Sequence, residues 1–355
     1  MVPVGTITLE LTHRCHRRCA FCTVPTLAAP SSTPNHELSA DEISHTLRHL
    51  ISATGCRRVQ LSGGEPLLRS DLRDVLEALR GEGTRVSILT DGAHLDASLA
   101  RDLATLGVEW VQPTLLSGEA PLHDSLRGPH AHRSVTRAIA IAAAAGLRVS
   151  VCMVLTRINC EEASRVAELA FALGARGLAL SRFCPPALSN ATTIALMPSP
   201  TQVRDAAQLA AQTCRNLGLP LAAAVTIPPC VWDDPDRPLL RTGICSLTGP
   251  KSTVTIGPDG TVRSCTLSTE GVGNVLWDSW DVLARRLDER CFAPERSQVI
   301  PACKGCAQWQ RCHGGCRMAA RAAFGAGCHP DPLARVAGAP TNQATSLLPS
   351  SSRTQ

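Results

Sequence analysis

The 355-residue sequence contains no Tyr, and its aromatic share is only 3%. No tyrosyl group can therefore take part in a hydrogen-atom or acid–base step. The first residues, MVPVGTITLELTH, lack the basic start, apolar run and cleavage site of a secretory signal. The longest apolar stretch, residues 138–147, is alanine-rich and too short to span a bilayer, so no membrane partner is expected. Long basic tracts joined to stacking aromatics are missing as well: 35 Lys and Arg stand against 30 Asp and Glu, and the net charge of +5 is dispersed. Nucleic acid is accordingly not an expected partner. An acidic peptide or a small reductase suits the excess charge equally well.

What the chain has in excess is cysteine, 17 in all. With no signal for export, a cytoplasmic, reducing setting is expected, where these are buried thiols or metal ligands rather than disulfides. The length allows about two or three domains, and 44% hydrophobic content supports a substantial core.

From residue 5 to about 227, short apolar runs alternate with helical patterns. Strands are expected at 6–11, 58–61, 85–90, 108–114, 148–155, 177–182 and 219–227. After Asp71, the spacing of Leu72, Val75, Leu76 and Leu79 predicts a helix stopped by Gly81 and Gly83; similar helices fit 97–106, 132–145, 161–173 and 202–217. This βα repeat predicts a mostly parallel sheet covered by helices. Unusual residues recur just after successive strands, where a barrel builds its active mouth, which favours a partial (β/α)6 TIM-like barrel over an open sheet. After Cys230 the composition shifts to Gly, Pro and Cys. A hairpin around Pro258-Asp259-Gly260 and a helix at 280–287 are expected there, with metal crosslinks compensating for a small core. The expected division is 1–229, a small cysteine-rich iron–sulfur domain at 230–336, and a flexible tail at 337–355.

Cys15, Cys19 and Cys22 follow the first strand, separated by three and two residues. A compact loop with this spacing aims three thiolates at three irons of a cubane and leaves the fourth iron without a protein ligand. That open iron can take the amino and carboxylate groups of S-adenosylmethionine. Three soft ligands with His13 or His16 would also make a tetrahedral zinc shell. The second strand runs into Ser62-Gly63-Gly64-Glu65-Pro66, whose glycines permit close backbone approach. Next come Thr90-Asp91-Gly92, then Val111-Gln112-Pro113-Thr114-Leu115-Leu116-Ser117-Gly118, then His123-Asp124 and Arg127-Gly128.

Together these segments resemble the radical S-adenosylmethionine superfamily, whose motif is Cys-x3-Cys-x2-Cys with an aromatic, here Phe21, before the last cysteine. The resemblance implies reductive cleavage of S-adenosylmethionine to a 5′-deoxyadenosyl radical. It implies that Gly63, Gly64 and Glu65 hold the methionine amino group, that Thr90 and Asp91 lie beside the cofactor, and that Arg127 pairs with its carboxylate. Asp91 replaces the family's usual Asn, and Ser117 stands at an Asp position. Asn159 serves as a helix cap or a ligand contact, and Arg182, at another strand end, as a cofactor or substrate contact.

The late region, Cys245, Cys265, Cys303-x2-Cys306-x5-Cys312-x3-Cys316 and Cys328, resembles the seven-cysteine SPASM extension, including GPDGTVRSC and Cys312-His313-Gly314-Gly315-Cys316. By that resemblance Cys245, Cys265 and Cys316 bind an inner auxiliary cluster and Cys303, Cys306, Cys312 and Cys328 an outer one, giving three [4Fe–4S] clusters in all. The fourth inner ligand is left open between Cys230, a substrate atom and water. Cys56, Cys152, Cys160, Cys184, Cys214 and Cys291 lack convergent spacing and read as buried or incidental thiols. The resemblance implies oxidative modification, by crosslinking, of a ribosomally made peptide, with a flavodoxin or ferredoxin as electron donor. Because the first strand begins almost at residue 1, leader recognition is expected from a separate protein. An anaerobic sulfatase-type maturase, a peptide epimerase and a small-molecule dehydrogenase are rival enzymes, and a non-catalytic electron-transfer or cluster scaffold is the rival of a different class. No catalytic acid, base or hydrogen donor is assigned.

Overall fold

The computed structural model describes residues 4–24, 36–186, 191–232, 245, 247 and 252–335. Seven strands and eight helices alternate in the first part: β1 (Val4–Thr12), α1 (Ala40–Thr54), β2 (Arg58–Gly63), α2 (Leu72–Gly81), β3 (Arg85–Thr90), α3 (Ala97–Thr105), β4 (Val108–Pro113), α4 (Ala120–Arg127), α5 (Ala131–Ala144), β5 (Arg148–Leu155), α6 (Ala163–Ala172), β6 (Gly177–Arg182), α7 (Ala191–Ile194), α8 (Pro200–Leu217) and β7 (Leu221–Ala223). Strands β1 to β7 pair in sequence order, all parallel. This is the partial barrel of parallel strands that the alternating pattern predicts.

The helices start and stop where local chemistry dictates. Ser39 and Glu42 form a reciprocal capping box at the start of α1, and Ser199 and Gln202 do the same for α8, which has Pro at its first position. Leu72, Val75, Leu76 and Leu79 of α2 are buried on one face. Along β5 burial alternates, with Val149, Val151, Met153 and Leu155 buried beneath the helices. The opposite face of the sheet is different in kind: Thr8, Glu10, Gln60, Ser62, Gln112, Ser150, Cys152, Ala179 and Ser181 point inward. A barrel core is normally filled by bulky branched side chains. Small and polar residues here leave a hollow.

The rest of the described chain builds outward from the β1 edge: β8 (Ser252–Ile256) pairs parallel with β1, and β9 (Thr261–Arg263) and β10 (Gly273–Asn274) add antiparallel strands beyond it. The expected hairpin therefore exists and continues the barrel sheet, completing ten strands. The helices α9 (Trp280–Leu287), α10 (Ala293–Ser297), α11 (Trp309–Cys312) and α12 (Arg317–Phe324) follow. Ile256, Val262, Trp280, Leu283, Phe292, Met318 and Leu333 belong to the same hydrophobic core as the barrel. This corrects the expectation of a poorly cored late region, because the hairpin docks on β1 and shares its apolar face. The expected tail at 337–355 lies outside the described residues. No helix among those described is long and apolar enough to cross a membrane.

Candidate active site

The inward faces of β1 to β6 enclose a cavity of about 560 Å³. Cys15, Cys19, Phe21 and Cys22 line it from the loop after β1, Gly63 and Gly64 from the end of β2, Arg127 from the end of α4, and Arg182 and Cys184 from the end of β6. Thr266 and Leu267, next to Cys265, close it from the late region.

The cysteine loop is held by backbone contacts that only glycine allows. Gly64 N–H donates to Thr12 O at 2.7 Å and Glu65 N–H to Arg14 O at 2.9 Å. A Cβ at Gly63 would lie 2.3 Å from Thr12 O, and one at Gly64 2.2 Å from Arg14 O. Gly63 also has φ +114°, a conformation that favours glycine. Within the loop, Cys22 N–H donates to Cys19 O at 3.1 Å and Arg17 N–H points to Cys15 Sγ at 3.4 Å. Burial pushes the Cys15 thiol up to about 11 and also raises that of Cys22. Such thiols become thiolates when metal replaces the proton.

Glu65, Thr90, Asp91 and Ser117 do not line the cavity. The Glu65 carboxylate is occupied by the protein: it accepts from Thr90 Oγ1 at 2.7 Å, from Asp91 N–H at 2.8 Å and from Leu67 N–H at 3.1 Å. It ties the end of β2 to the end of β3, and burial, with the nearby Asp91 charge, raises its pKa to about 7. Asp91 in turn receives Arg17 Nε and His16 Nε2, each at 3.0 Å, and Ala93 N–H at 2.8 Å. Burial opposes its ionisation, but the Ala93 amide, Arg127, His16 and Arg17 hold it below the usual carboxylate range. The guanidinium groups of Arg17 and Arg127 explain how a charged residue is tolerated at Asp91. Ser117 is fully buried, donates to Glu162 at 2.7 Å and accepts from Glu119 N–H at 2.8 Å, bridging the segments before α4 and α6. Its distance from the cavity follows from that pairing. Asn159 ties the end of β5 to Leu116 through Thr156 N–H, Leu116 O and Val154 O, so its contacts are internal.

Arg127 is better placed for a ligand. Its Nη1 donates to Thr114 O at 3.1 Å, its guanidinium lies 5.9 Å from the Phe21 ring centre, and its buried Nε has no acceptor in the protein. Arg182 reaches the cavity but is committed to Asp331 and Thr226 O. Its Nη1 is buried without an acceptor, and its charge acts on Cys316, Cys184 and Cys245. Glu10, Arg17 and Cys184 also line the cavity, although sequence spacing does not mark them as site residues. Inward alternation along β1 is a signal for Glu10, whereas the others depend on loops.

The donor set fits a cluster: three thiols on one loop, a glycine cradle behind them and, on the same cavity wall, an arginine with one buried N–H that has no acceptor. Among the described residues no group of three His, Cys, Asp or Glu side chains converges as one metal ion would require. A cluster places each thiolate on its own iron, so wider separation is compatible with it.

The family model described as the Radical SAM superfamily matches residues 9–170. Those residues form a Radical SAM domain. The chain is 29% identical over 341 residues, 93% of its own length and 88% of the relative's, to a Streptomyces rochei protein named PqqA peptide cyclase. Its fold is similar to that of Streptococcus suis SuiB bound to S-adenosylmethionine, with a TM-score of 0.74 and 16% identity over 94% of this chain and 78% of that one. It is also similar to the structure of anSMEcpe with bound AdoMet, with a TM-score of 0.72 and 17% identity over 89% of this chain and 90% of that one. The protein is thus a radical SAM enzyme, using S-adenosylmethionine and an iron–sulfur cluster.

Proposed function

We propose that this radical SAM enzyme carries out oxidative C–H modification of a ribosomally made peptide, by crosslinking one of its side chains. The observation that carries the reading is one shared cavity: Cys15, Cys19, Cys22 and Arg127 line it, and so do Cys184, Thr266 and Leu267 beside the late cysteines. The choice of a peptide is supported by similarity, across 93% of the chain, to a protein named as a peptide cyclase. In this reading Cys15, Cys19 and Cys22 hold one cluster, and the late cysteines hold two auxiliary clusters within the proposed 230–336 domain, after a barrel domain at 1–229 and before a tail at 337–355. When bound, the clusters and S-adenosylmethionine supply a 5′-deoxyadenosyl radical for C–H abstraction and an acceptor for the electron released as the new bond forms.

The chain's own residues position that chemistry. The Gly63-Gly64 backbone leaves room for the amino group of the methionine moiety, Arg127 Nε takes its carboxylate, and Phe21 packs beside them. Glu65, Thr90 and Asp91 act one layer back, fixing the strand ends on which those contacts depend. A flavodoxin or ferredoxin is the proposed electron donor, its acidic surface drawn by the net charge of +5. A separate protein recognises the leader of the peptide. Seventeen cysteines kept as thiols or thiolates suit the cytoplasm.

The test is anaerobic reconstitution with short peptides encoded beside the gene, reading 5′-deoxyadenosine and peptide mass together. Crosslinking predicts a loss of about 2 Da, one hydrogen going to 5′-deoxyadenosine and the other leaving as a proton and an electron. Unchanged mass with solvent deuterium at one α-carbon would indicate epimerisation instead. Turnover of a small metabolite alone would sink the peptide assignment.

A further inference from the structure

Two cysteines outside the seven-cysteine pattern sit among the late ones. Cys184 lies just past β6, on the cavity wall. Its thiol lies beside that of Cys316, which also lies beside that of Cys245. Cys316 acts electrostatically on Cys265, so the four form one group. Arg182 stands against three of them with an Nη1 that has no acceptor. A buried guanidinium beside sulfur favours the charged form, which thiolates bound to metal supply.

The second group forms around Cys230, which follows Pro228-Pro229 in a turn closed by Val231 N–H to Pro228 O at 2.9 Å. Cys230, Cys303, Cys306 and Cys312 line one small cavity with Pro228, Trp309 and Gly314. Cys230 and Cys306 interact electrostatically, as do Cys230 and Cys303, and Cys230 and Cys312. One of these sulfurs already receives an amide donor, since Arg335 N–H reaches Cys230 Sγ at 3.3 Å, and Gly315 N–H turns the chain back on Cys312 O at 3.1 Å. Hydrogen bonds of this kind tune cluster sulfurs. Cys328, by contrast, is exposed and does not line that cavity.

We propose that Cys184 joins Cys245, Cys265 and Cys316 around the inner auxiliary cluster, and that Cys230 joins Cys303, Cys306 and Cys312 around the outer one, leaving Cys328 without metal. The proposal rests on the reading that the late region holds two clusters. It assigns Cys230 to the outer centre and gives the inner centre a fully cysteinyl shell, so no ligand position there is left for substrate.

The test uses the full chain with Cys15, Cys19 and Cys22 all changed to Ala, which isolates the auxiliary centres. After anaerobic reconstitution, iron, acid-labile sulfide and the Mössbauer and EPR spectra are measured. The background should hold about 8 irons, as two cubanes with four cysteine ligands apiece require. Adding Cys184→Ala should remove or convert one spectral component, and adding Cys230→Ala the other, each leaving about 4 irons in an unchanged centre. Cys328→Ala should leave both components intact. Loss of a component in Cys328→Ala with none in Cys230→Ala, or an unaltered spectrum in Cys184→Ala, would overturn the ligand assignment while two clusters stand. A background with about 4 irons or fewer would overturn the two-cluster reading, and this assignment with it. Should a variant misfold, alkylation of the unmutated, loaded chain gives the same answer for the outer centre. Cys230 should be protected until the metal is chelated, and Cys328 modified throughout; protection of Cys328 instead would overturn the assignment.

Discussion

Arg127 lines the cavity wall shared with the three loop cysteines, and its buried Nε–H is taken by no protein acceptor. A charge-assisted hydrogen bond contributes about 1.5–3 kcal/mol, so Arg127→Ala should weaken S-adenosylmethionine binding by about 10- to 100-fold. Equilibrium binding to the reconstituted protein checks this; unchanged affinity at full iron content would remove Arg127 from the cofactor site. His123 is a second residue with a definite protonation state. Its Nδ1 accepts Leu116 N–H at 3.2 Å, so the ring must be neutral, and burial, with Arg127 and His132 nearby, pushes its pKa down to about 3. The folded pKa is thus depressed below the ordinary 6.5. Stability from the neutral ring is present above pH 6.5 and is lost as the pH falls from there towards 3. In His123→Asn the side-chain oxygen keeps the acceptor but cannot titrate. The difference in melting temperature between the two proteins should be constant above that pH and shift in favour of the variant below it. A pH-independent difference would show that His123 does not contribute to acid sensitivity.

At the level of elements, the meeting of β1 and β2 fixes the cysteine loop. The contacts at Gly63 and Gly64 leave no space for a methyl group. Gly64→Ala should push the loop away from the end of β2, at a cost exceeding the conformational effect of about 1 kcal/mol for glycine. Iron should be lost from the loop cluster while the auxiliary signals persist, and EPR of the reduced protein distinguishes the two; full retention of all signals would mean the loop is held elsewhere. This junction was legible in the sequence because thiol spacing and paired glycines are local patterns. The strands at 85–90, 148–155 and 177–182 and the helix at 280–287 were legible for the same reason, each carrying a complete apolar period. The helix α4 was missed, since Pro121 and the polar residues of PLHDSLR obscure its periodicity. Docking of β8 on β1 was hidden too. It is a pairing across more than two hundred residues, fixed by Leu9 opposite Ile256 and by the buried Glu10–Arg263 ion pair, neither of which marks its partner in sequence.

The whole molecule is joined at a second place, where the barrel meets the late cysteines. Asp331 is fully buried, bound by Arg182 from β6, by Cys316 N–H at 2.8 Å and by Leu333 N–H at 2.9 Å. Burial raises its pKa to about 6, with Arg182 opposing that rise. Sequence spacing suggested Arg182 as a contact for cofactor or substrate, because the partner that occupies it lies 149 residues away. Removing one member of a buried ion pair leaves the other charge uncompensated, at a cost of about 3–5 kcal/mol. Asp331→Asn should therefore lower the denaturation midpoint, but the more specific consequence is where the structure loosens. If this pair couples the two parts, amide exchange must accelerate both along β6 and across 314–333, because Arg182 belongs to one and the Cys316 and Leu333 amides to the other. Arg182→Met should produce the same two-sided pattern. Exchange confined to 314–333 in both variants would show that β6 is held by the barrel alone, and that the inner cysteine group rests on the cavity wall without being fastened through this ion pair.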